Sequence, residues 1–351
     1  MLSRSEIQTI FDRVFTGEEL VKDPEPLPGG HLNAVWRLTG SSVTCILKYA
    51  PPHIASAPEV PLDPHRIHIE ARLLTMLDEG GSLQPVGSGE IRPPRPIYFD
   101  AERNLLLMED IAPHRPLDRV LSDGALISAS AGQRLGAFVG RLHGETTGDQ
   151  QLQEKIDNRP IQETRLEVQY NAIGALLAEY GTTDAEVLGE KAVELGEKYL
   201  TPGRCVIMGD LWPRSIMVKD AGKSIRLIDW ELAHYGRPTQ DIAHLAAHWW
   251  MMVQRVSSEE AKETLRAAWE RFIESYRQAM GDRFAILWDD TEQQDAVIHF
   301  GCEVLVRTIG RFREGYLYEG LENGSDPIQQ AVEMAVHYLR NPSEADALSP
   351  F

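Results

Sequence analysis

The order of apolar and polar positions divides this chain into an early part of short strands and a later part of long helices. Residues 1–15 place Leu2, Ile7, Ile10, Phe11 and Val14 at helical spacing, with polar breaks at Glu6 and Asp12. That pattern predicts a short amphipathic helix and not a secretory leader. The apolar runs 35–38 and 43–49, separated by Thr39-Gly40-Ser41-Ser42, predict two strands and a turn. Segment 51–64 carries Pro51, Pro52, Pro58, Pro61 and Pro64 and is expected to be an irregular loop. From 65 to 77 the helical period returns, with Ile67, Leu74 and Leu77 on one stripe and Glu70 among them. Residues 104–111 then give a buried strand that ends in acids before Pro113.

Beyond Pro113 the period is mostly helical. Segments 133–143, 261–280, 292–312 and 327–339 are expected helices, 163–199 is expected to hold one or two more, and 242–253 is an apolar core helix interrupted by His244 and His248. The apolar run 205–208 predicts a strand. Segments 215–218 and 224–228 flank a turn-rich spacer, 219–223, and predict a β-hairpin. Strands early and helices late indicate an α+β chain of two unequal lobes, with expected boundaries at 1–111 and 112–351.

Charge narrows the partners. Thirty-five basic and 53 acidic residues give a net charge of −18, which argues against a nucleic-acid or anionic-membrane surface. It leaves room for a nucleotide, which needs only a local basic patch. A hydrophobic content of 42% supports a normal core. Three scattered cysteines, Cys45, Cys205 and Cys302, are too few for a disulfide framework or a zinc site. No apolar run approaches a membrane span, so a cytoplasmic protein is expected.

The candidate chemistry lies in Ile207-Met208-Gly209-Asp210-Leu211-Trp212-Pro213-Arg214-Ser215 and in Ile228-Asp229-Trp230-Glu231. Each apolar run ends in an acid. A carboxylate on a loop can orient or deprotonate a hydroxyl, and a second cluster of hard oxygens can hold Mg²⁺ against nucleotide phosphates. If Val218 pairs near Ile225, the hairpin brings the Ser215 hydroxyl beside Asp229, with Glu231 just beyond. Lys48 ends an apolar strand and needs an anion, because burying it unpaired is costly. Glu70 on the apolar stripe of the next helix is the expected partner; Arg66, four residues earlier, is the local alternative.

These motifs resemble the aminoglycoside phosphotransferase and choline kinase superfamily, small-molecule kinases that share the protein-kinase fold. Met208-Gly209-Asp210 through Ser215, Ile228-Asp229 and Gly236 through Asp241 stand where the family has His-Gly-Asp-x-x-x-x-Asn, Ile-Asp and Gly-x-x-x-x-Asp. Ser215 in place of Asn, together with Asp229-Trp230-Glu231, is most similar to the methylthioribose kinase branch and to fungal small-molecule kinases. The resemblance runs from about Leu27 to about His248.

It implies a bilobal fold with a small β-rich N-lobe and a large helical C-lobe, and a kinase that uses ATP and Mg²⁺ on a small-molecule hydroxyl. Asp210 would be the catalytic base. Ser215, Asp229 and Glu231 would hold the metal, and Asp241 would brace the catalytic loop. On the nucleotide side it implies Gly29, Gly30 and Asn33 in a glycine-rich loop, Lys48 paired with Glu70, and backbone groups around Glu109 and Ile111 at the adenine edge. Met208 replaces the family's His and is expected to be a packing residue. Arg214 is expected to be exposed. For the acceptor, Trp212 is the first candidate, followed by Arg307 and Arg311, which either bind an anion together or snorkel to the surface. Trp249, Trp250 and Tyr316 are further aromatic candidates. An inactive kinase-like nucleotide-binding module, a nucleotidyl transferase and an aminoglycoside-type phosphotransferase remain as alternatives.

Overall fold

In the computed structural model the described residues are 2–27, 32–87, 89–124 and 126–351. The chain divides into two compact units. One comprises Met1–His114 with Arg226–Leu232, and the other Arg115–Ile225 with Ala233–Phe351.

The first unit is built on an antiparallel sheet of order β1-β2-β3-β8-β7. Its elements are α1 (Arg4–Val14), β1 (Glu25–Pro26), β2 (Ala34–Thr39), β3 (Thr44–Tyr49), β4 (His53–Ile54), β5 (Ala57–Pro61), α2 (Arg66–Leu77), α3 (Gln84–Gly87), β6 (Ile91–Arg92), β7 (Pro96–Asp100) and β8 (Leu105–Glu109). Helix α1 is set by a capping box: the Ser3 hydroxyl accepts the Glu6 N–H, and the Glu6 carboxylate accepts the Ser3 N–H. Its buried face, Ile7, Ile10 and Phe11, packs with Trp36, Leu38 and Leu47 of the sheet. Segment 51–64 is not the irregular loop its prolines suggest, because β4 and β5 pair as a short hairpin within it. Proline is tolerated there since a two-stranded edge leaves outward N–H positions that need no partner.

The second unit is largely helical. In order it holds β9 (Arg115–Pro116), α4 (Leu117–Ser122), α5 (Ala129–Glu145), α6 (Gln150–Lys155), α7 (Arg159–Arg165), a π-helical turn (Leu166–Tyr170), α8 (Ile173–Tyr180) and α9 (Ala185–Tyr199). Then come β10 (Cys205–Ile207), β11 (Ile216–Lys219), β12 (Ser224–Leu227), β13 (His234–Gly236) and α10 (Pro238–Arg255). The C-terminal helices are α11 (Glu259–Met280), α12 (Arg283–Leu287), α13 (Asp290–Thr308) and α14 (Asp326–Arg340). Strand β10 pairs with β13, and β9 with β11. Residues Asp220, Ala221 and Gly222, all at positive φ, turn the chain between β11 and β12. Strand β12 then carries it into the segment that belongs to the first unit.

Segment 163–199, expected to hold one or two helices, carries the end of α7, the π-helical turn, α8 and α9, with Gly181 at positive φ capping α8. The helix expected to reach 312 stops at Thr308. There the Gly310 N–H closes back onto the Leu305 carbonyl, so Arg311 lies beyond the helix and does not share a face with Arg307.

Helix α5 carries glycines at 132, 136 and 140, one per turn on a single face. A Cβ on Gly132 would meet the Ala268 carbonyl oxygen, and one on Gly136 the Phe272 carbonyl oxygen, so only glycine lets α11 lie this close. Helix α10 is buried along nearly its whole length. Among the described residues, no helix is long and apolar enough to cross a membrane.

Candidate active site

The first unit gathers charge around Lys48. This residue is 3% exposed near the end of β3, where it pairs in register with Leu106 of β8. Its ammonium lies 2.8 Å from Glu70 of α2, 3.0 Å from Asp229 and 3.3 Å from Glu231. Burial alone would lower the Lys48 pKa; the charges of Glu231, Glu70 and Asp229 outweigh it and hold the group protonated, well above its ordinary value. Glu70 is pushed up to about 7 by burial, with Lys48 opposing and Glu231 and Asp229 adding like charge.

Arg66 does not take the local pairing with Glu70. It is fully buried and donates to Glu231 at 3.1 Å, to Asn33 Oδ1 at 3.0 Å and to the Leu32 and Asp63 carbonyls. The Asn33 amide in turn donates to both Glu231 oxygens at 2.7 Å. Glu231 and Asn33 are therefore buried partners of a fixed network. Asp229 is the open member. Its side chain is 45% exposed against 2% for Glu70 and 6% for Glu231. Its backbone sits at φ 62, in the left-handed region where Asp is among the few tolerated side chains.

Glu109 ends β8 with its carboxylate clamped by Arg92 at 2.6 and 2.8 Å and its N–H given to the Arg95 carbonyl. The Ile111 carbonyl accepts from His114. Gly29 and Gly30 lie outside the described residues.

The second unit presents Asp210. Strand β10 ends at Ile207, Met208 is buried, and Gly209 turns the chain at φ 77. The loop is held from below by Asp241 in the first turn of α10. Its two carboxylate oxygens accept the Met208 N–H at 2.7 Å and the Gly209 N–H at 2.8 Å. His143 of α5 contacts the same carboxylate at 3.2 Å and reaches Tyr276 of α11 with its other nitrogen. Ser215 is fully buried. Its hydroxyl accepts the Trp212 N–H and faces the Asp210 and Trp212 carbonyls, bonds that staple the loop onto itself.

A guanidinium and an imidazole meet one oxygen of Asp210. Arg165 lies 3.0 Å and His244 Nε2 3.3 Å from Oδ1, while Oδ2 has no hydrogen-bond partner among the described residues. Burial would raise the Asp210 pKa; His244, Arg165 and Arg307 outweigh it and hold the carboxyl below its ordinary value, so it is ionised at neutral pH.

Beside it, the Trp212 ring lies under the Arg307 guanidinium at 4.6 Å and the Arg214 guanidinium at 5.4 Å, with the Tyr316 ring 5.5 Å away. Arg307 does not snorkel: it is anchored to Glu303 at 2.7 Å. Arg214, expected to be exposed, instead pairs with buried Asp118 at 3.0 Å and donates to the Gly315 carbonyl. Arg311 is exposed. Trp249 and Trp250 are core residues, packed on Trp269 and Phe300.

Sequence reasoning missed Arg165, His143 and the role of His244. The available signal was the spacing of His244 and His248, one turn apart in an otherwise apolar helix, which demands buried partners.

The signature of the phosphotransferase enzyme family (APH) matches residues 23–281. A 4-hydroxytryptamine kinase of Psilocybe cyanescens is 28% identical over 268 residues, covering 71% of this chain and 72% of that protein. A 4-hydroxytryptamine kinase of Psilocybe cubensis is 25% identical over 267 residues with the same coverage. Among solved structures, an amicoumacin kinase in complex with AMP-PNP, Ca²⁺ and Ami shares the fold. It has a TM-score of 0.54, 17% identity, and coverage of 93% of this chain and 90% of that one.

Proposed function

We propose, from the premise that this chain belongs to the phosphotransferase enzyme family, that it moves the γ-phosphoryl group of Mg·ATP to a hydroxyl of a small organic acceptor. The observation that carries this reading is Asp210: an ionised carboxylate on a braced loop, with one oxygen held by Arg165 and His244 and the other open. The open oxygen suits an acceptor hydroxyl. As the hydroxyl oxygen bonds to the γ-phosphorus and the bond to the leaving ADP oxygen breaks, its proton passes to Asp210.

The Lys48 cluster suits the nucleotide. Glu70, Asp229 and Glu231 set three carboxylates against the two cations Lys48 and Arg66, and this excess of hard, anionic oxygen fits a divalent ion. Asp229 is the residue we assign to hold Mg²⁺, because its carboxylate is the exposed one. When bound, the ion would neutralise charge on the phosphates. Glu231 and Asn33 then keep Lys48 and Arg66 in place, and Lys48 contacts phosphate. Ser215 supports the catalytic loop and would offer its oxygen to the metal only by giving up one of its loop bonds.

The acceptor wall limits the substrate. Trp212, Tyr316, Arg214 and Arg307 form an aromatic and guanidinium surface beside Asp210, its two rings tilted by 54°, which suits an aromatic acceptor and opposes a polycation of the aminoglycoside kind. The hydroxyindole amine named for the two fungal relatives is therefore the first acceptor to test. A panel of hydroxylated compounds incubated with Mg·ATP should give ADP together with a product heavier by one phosphate. A product heavier by a nucleotide, or ADP release that no acceptor stimulates, would overturn the proposal.

A further inference from the structure

Behind Asp210, the second unit holds a cluster of buried polar groups. His244 and His248 lie one turn apart on α10 and share a face, and Glu303 of α13 reaches both. Their ligand atoms all lie within 4.8 Å of one another. His248 Nε2 is 3.0 Å and His244 Nδ1 is 3.5 Å from the Glu303 carboxylate. Donors at bond lengths of about 2.0–2.1 Å around a tetrahedral ion are separated by roughly 3.3 Å. His244 is 2% exposed, yet neither of its ring nitrogens has a hydrogen-bond partner of good geometry among the described residues. Buried polar groups are seldom left so.

We propose that His244 Nδ1, His248 Nε2 and Glu303 bind a divalent transition-metal ion, zinc best of all, at a site separate from the one that serves the nucleotide. Two imidazoles and one carboxylate form a borderline donor set that suits zinc or cobalt, whereas Mg²⁺ demands octahedral oxygen.

Each ligand already has an outer partner of the kind metal sites use. His244 turns Nε2 toward Asp210, and His248 has Nδ1 2.9 Å from the Tyr316 hydroxyl. Glu303 accepts from Gln169 at 2.8 Å and from Arg307 at 2.7 Å. Arg307 brings an opposing charge, but a carboxylate offers about four acceptor positions, and Asp210 offsets the guanidinium. With Nδ1 on the metal, the remaining proton of His244 sits on Nε2 and faces the catalytic base. Occupancy would therefore fix the setting of Asp210.

The test is metal content and uptake, neither of which depends on turnover. Protein purified without a histidine tag or chelator should carry zinc, or take up one equivalent of Co²⁺ per chain with ligand-field absorption in the visible range. Metal addition should also raise Tm. Glu303→Gln and His248→Gln should lose the equivalent and the absorption while keeping the Tm rise given by Mg·ATP. Should either variant fail to fold, competition between the wild-type protein and a chromophoric zinc chelator decides the matter. Wild-type protein that neither carries metal nor takes it up at micromolar concentration, or folded variants that bind as well as wild type, would overturn the site.

Discussion

The Asp241 carboxylate holds the backbone N–H of Met208 at 2.7 Å, so the catalytic loop is gripped through the main chain of the residue that departs from the family pattern. Met208→His leaves this bond intact. Turnover should change by less than about tenfold, since a packing change contributes about a kcal/mol to a barrier. Asp241→Asn replaces an acceptor oxygen with an NH₂ that confronts the loop's N–H donors, and turnover should fall much further than in Met208→His. Steady-state rates of the two folded variants check this ordering; equal losses would remove Asp241 from its bracing role.

The proposed function divides the labour between Asp210 and Asp229. Asp210→Asn should lose about 10²–10⁴ in turnover, the usual scale for general-base removal, yet keep Mg·ATP affinity within a few-fold. Asp229→Asn should lose turnover and also weaken the magnesium dependence of nucleotide binding. Asn tolerates the left-handed backbone at this position, so the variant should fold. Calorimetric titration of Mg·ATP into both variants separates the roles, and equal loss of nucleotide affinity would show the assignment to be reversed.

Lys48→Ala should abolish the Tm rise produced by Mg·ATP. The same cluster makes stability depend on pH. The folded Glu70 pKa, pushed up to about 7, lies above the ordinary 4.5. Its contribution to stability is therefore complete below 4.5 and is lost as pH rises through 7. Glu70→Gln carries no such titration, so the difference in unfolding free energy between wild type and Glu70→Gln should shift against wild type across that window. Denaturant curves at several pH values measure it, and a difference that stays flat would refute the shifted pKa.

The contact of α5 with α11 should be intolerant of a single methyl group. Gly136→Ala drives a Cβ into the Phe272 carbonyl, and overpacking of this kind costs about 1–3 kcal/mol. The surface glycine Gly148, with φ 74 and open space around it, is a control in which only backbone strain is added. Thermal unfolding of the two variants should show the larger loss at Gly136.

Much of the architecture was legible because period and punctuation agree. The amphipathic stripe of 1–15, the turn at 39–42 and the apolar runs ending in Asp210 and Asp229 each specify an element and its end. The ion partner of Lys48 was also readable, since both it and Glu70 sit on apolar faces that forbid an unpaired charge. What could not be read depends on distant packing. Nothing local to Arg165 ties it to Asp210, 45 positions later, or His143 to Asp241, 98 positions later. The burial of Arg214 against Asp118 likewise needs helix α4 and a loop some hundred residues later to meet. Proline content misled at 51–64 because composition does not distinguish an edge hairpin from a loop.

Residues Arg226–Leu232 complete the first unit although more than a hundred residues separate them from its other part. A fragment that stops at His114 contains Lys48, Glu70, Asn33 and Arg66 but neither Asp229 nor Glu231, and so leaves two buried cations short of their counter-charges. The same holds on the ribosome: the amino-terminal sheet emerges first, but its charged centre cannot close until the β11–β12 turn and the seven residues after Ile225 have been synthesised. Maturation of this unit is thus tied to the chain reaching Leu232, and attempts to produce it as an independent ATP-binding fragment should include that segment, supplied in cis by a short linker or in trans as a peptide.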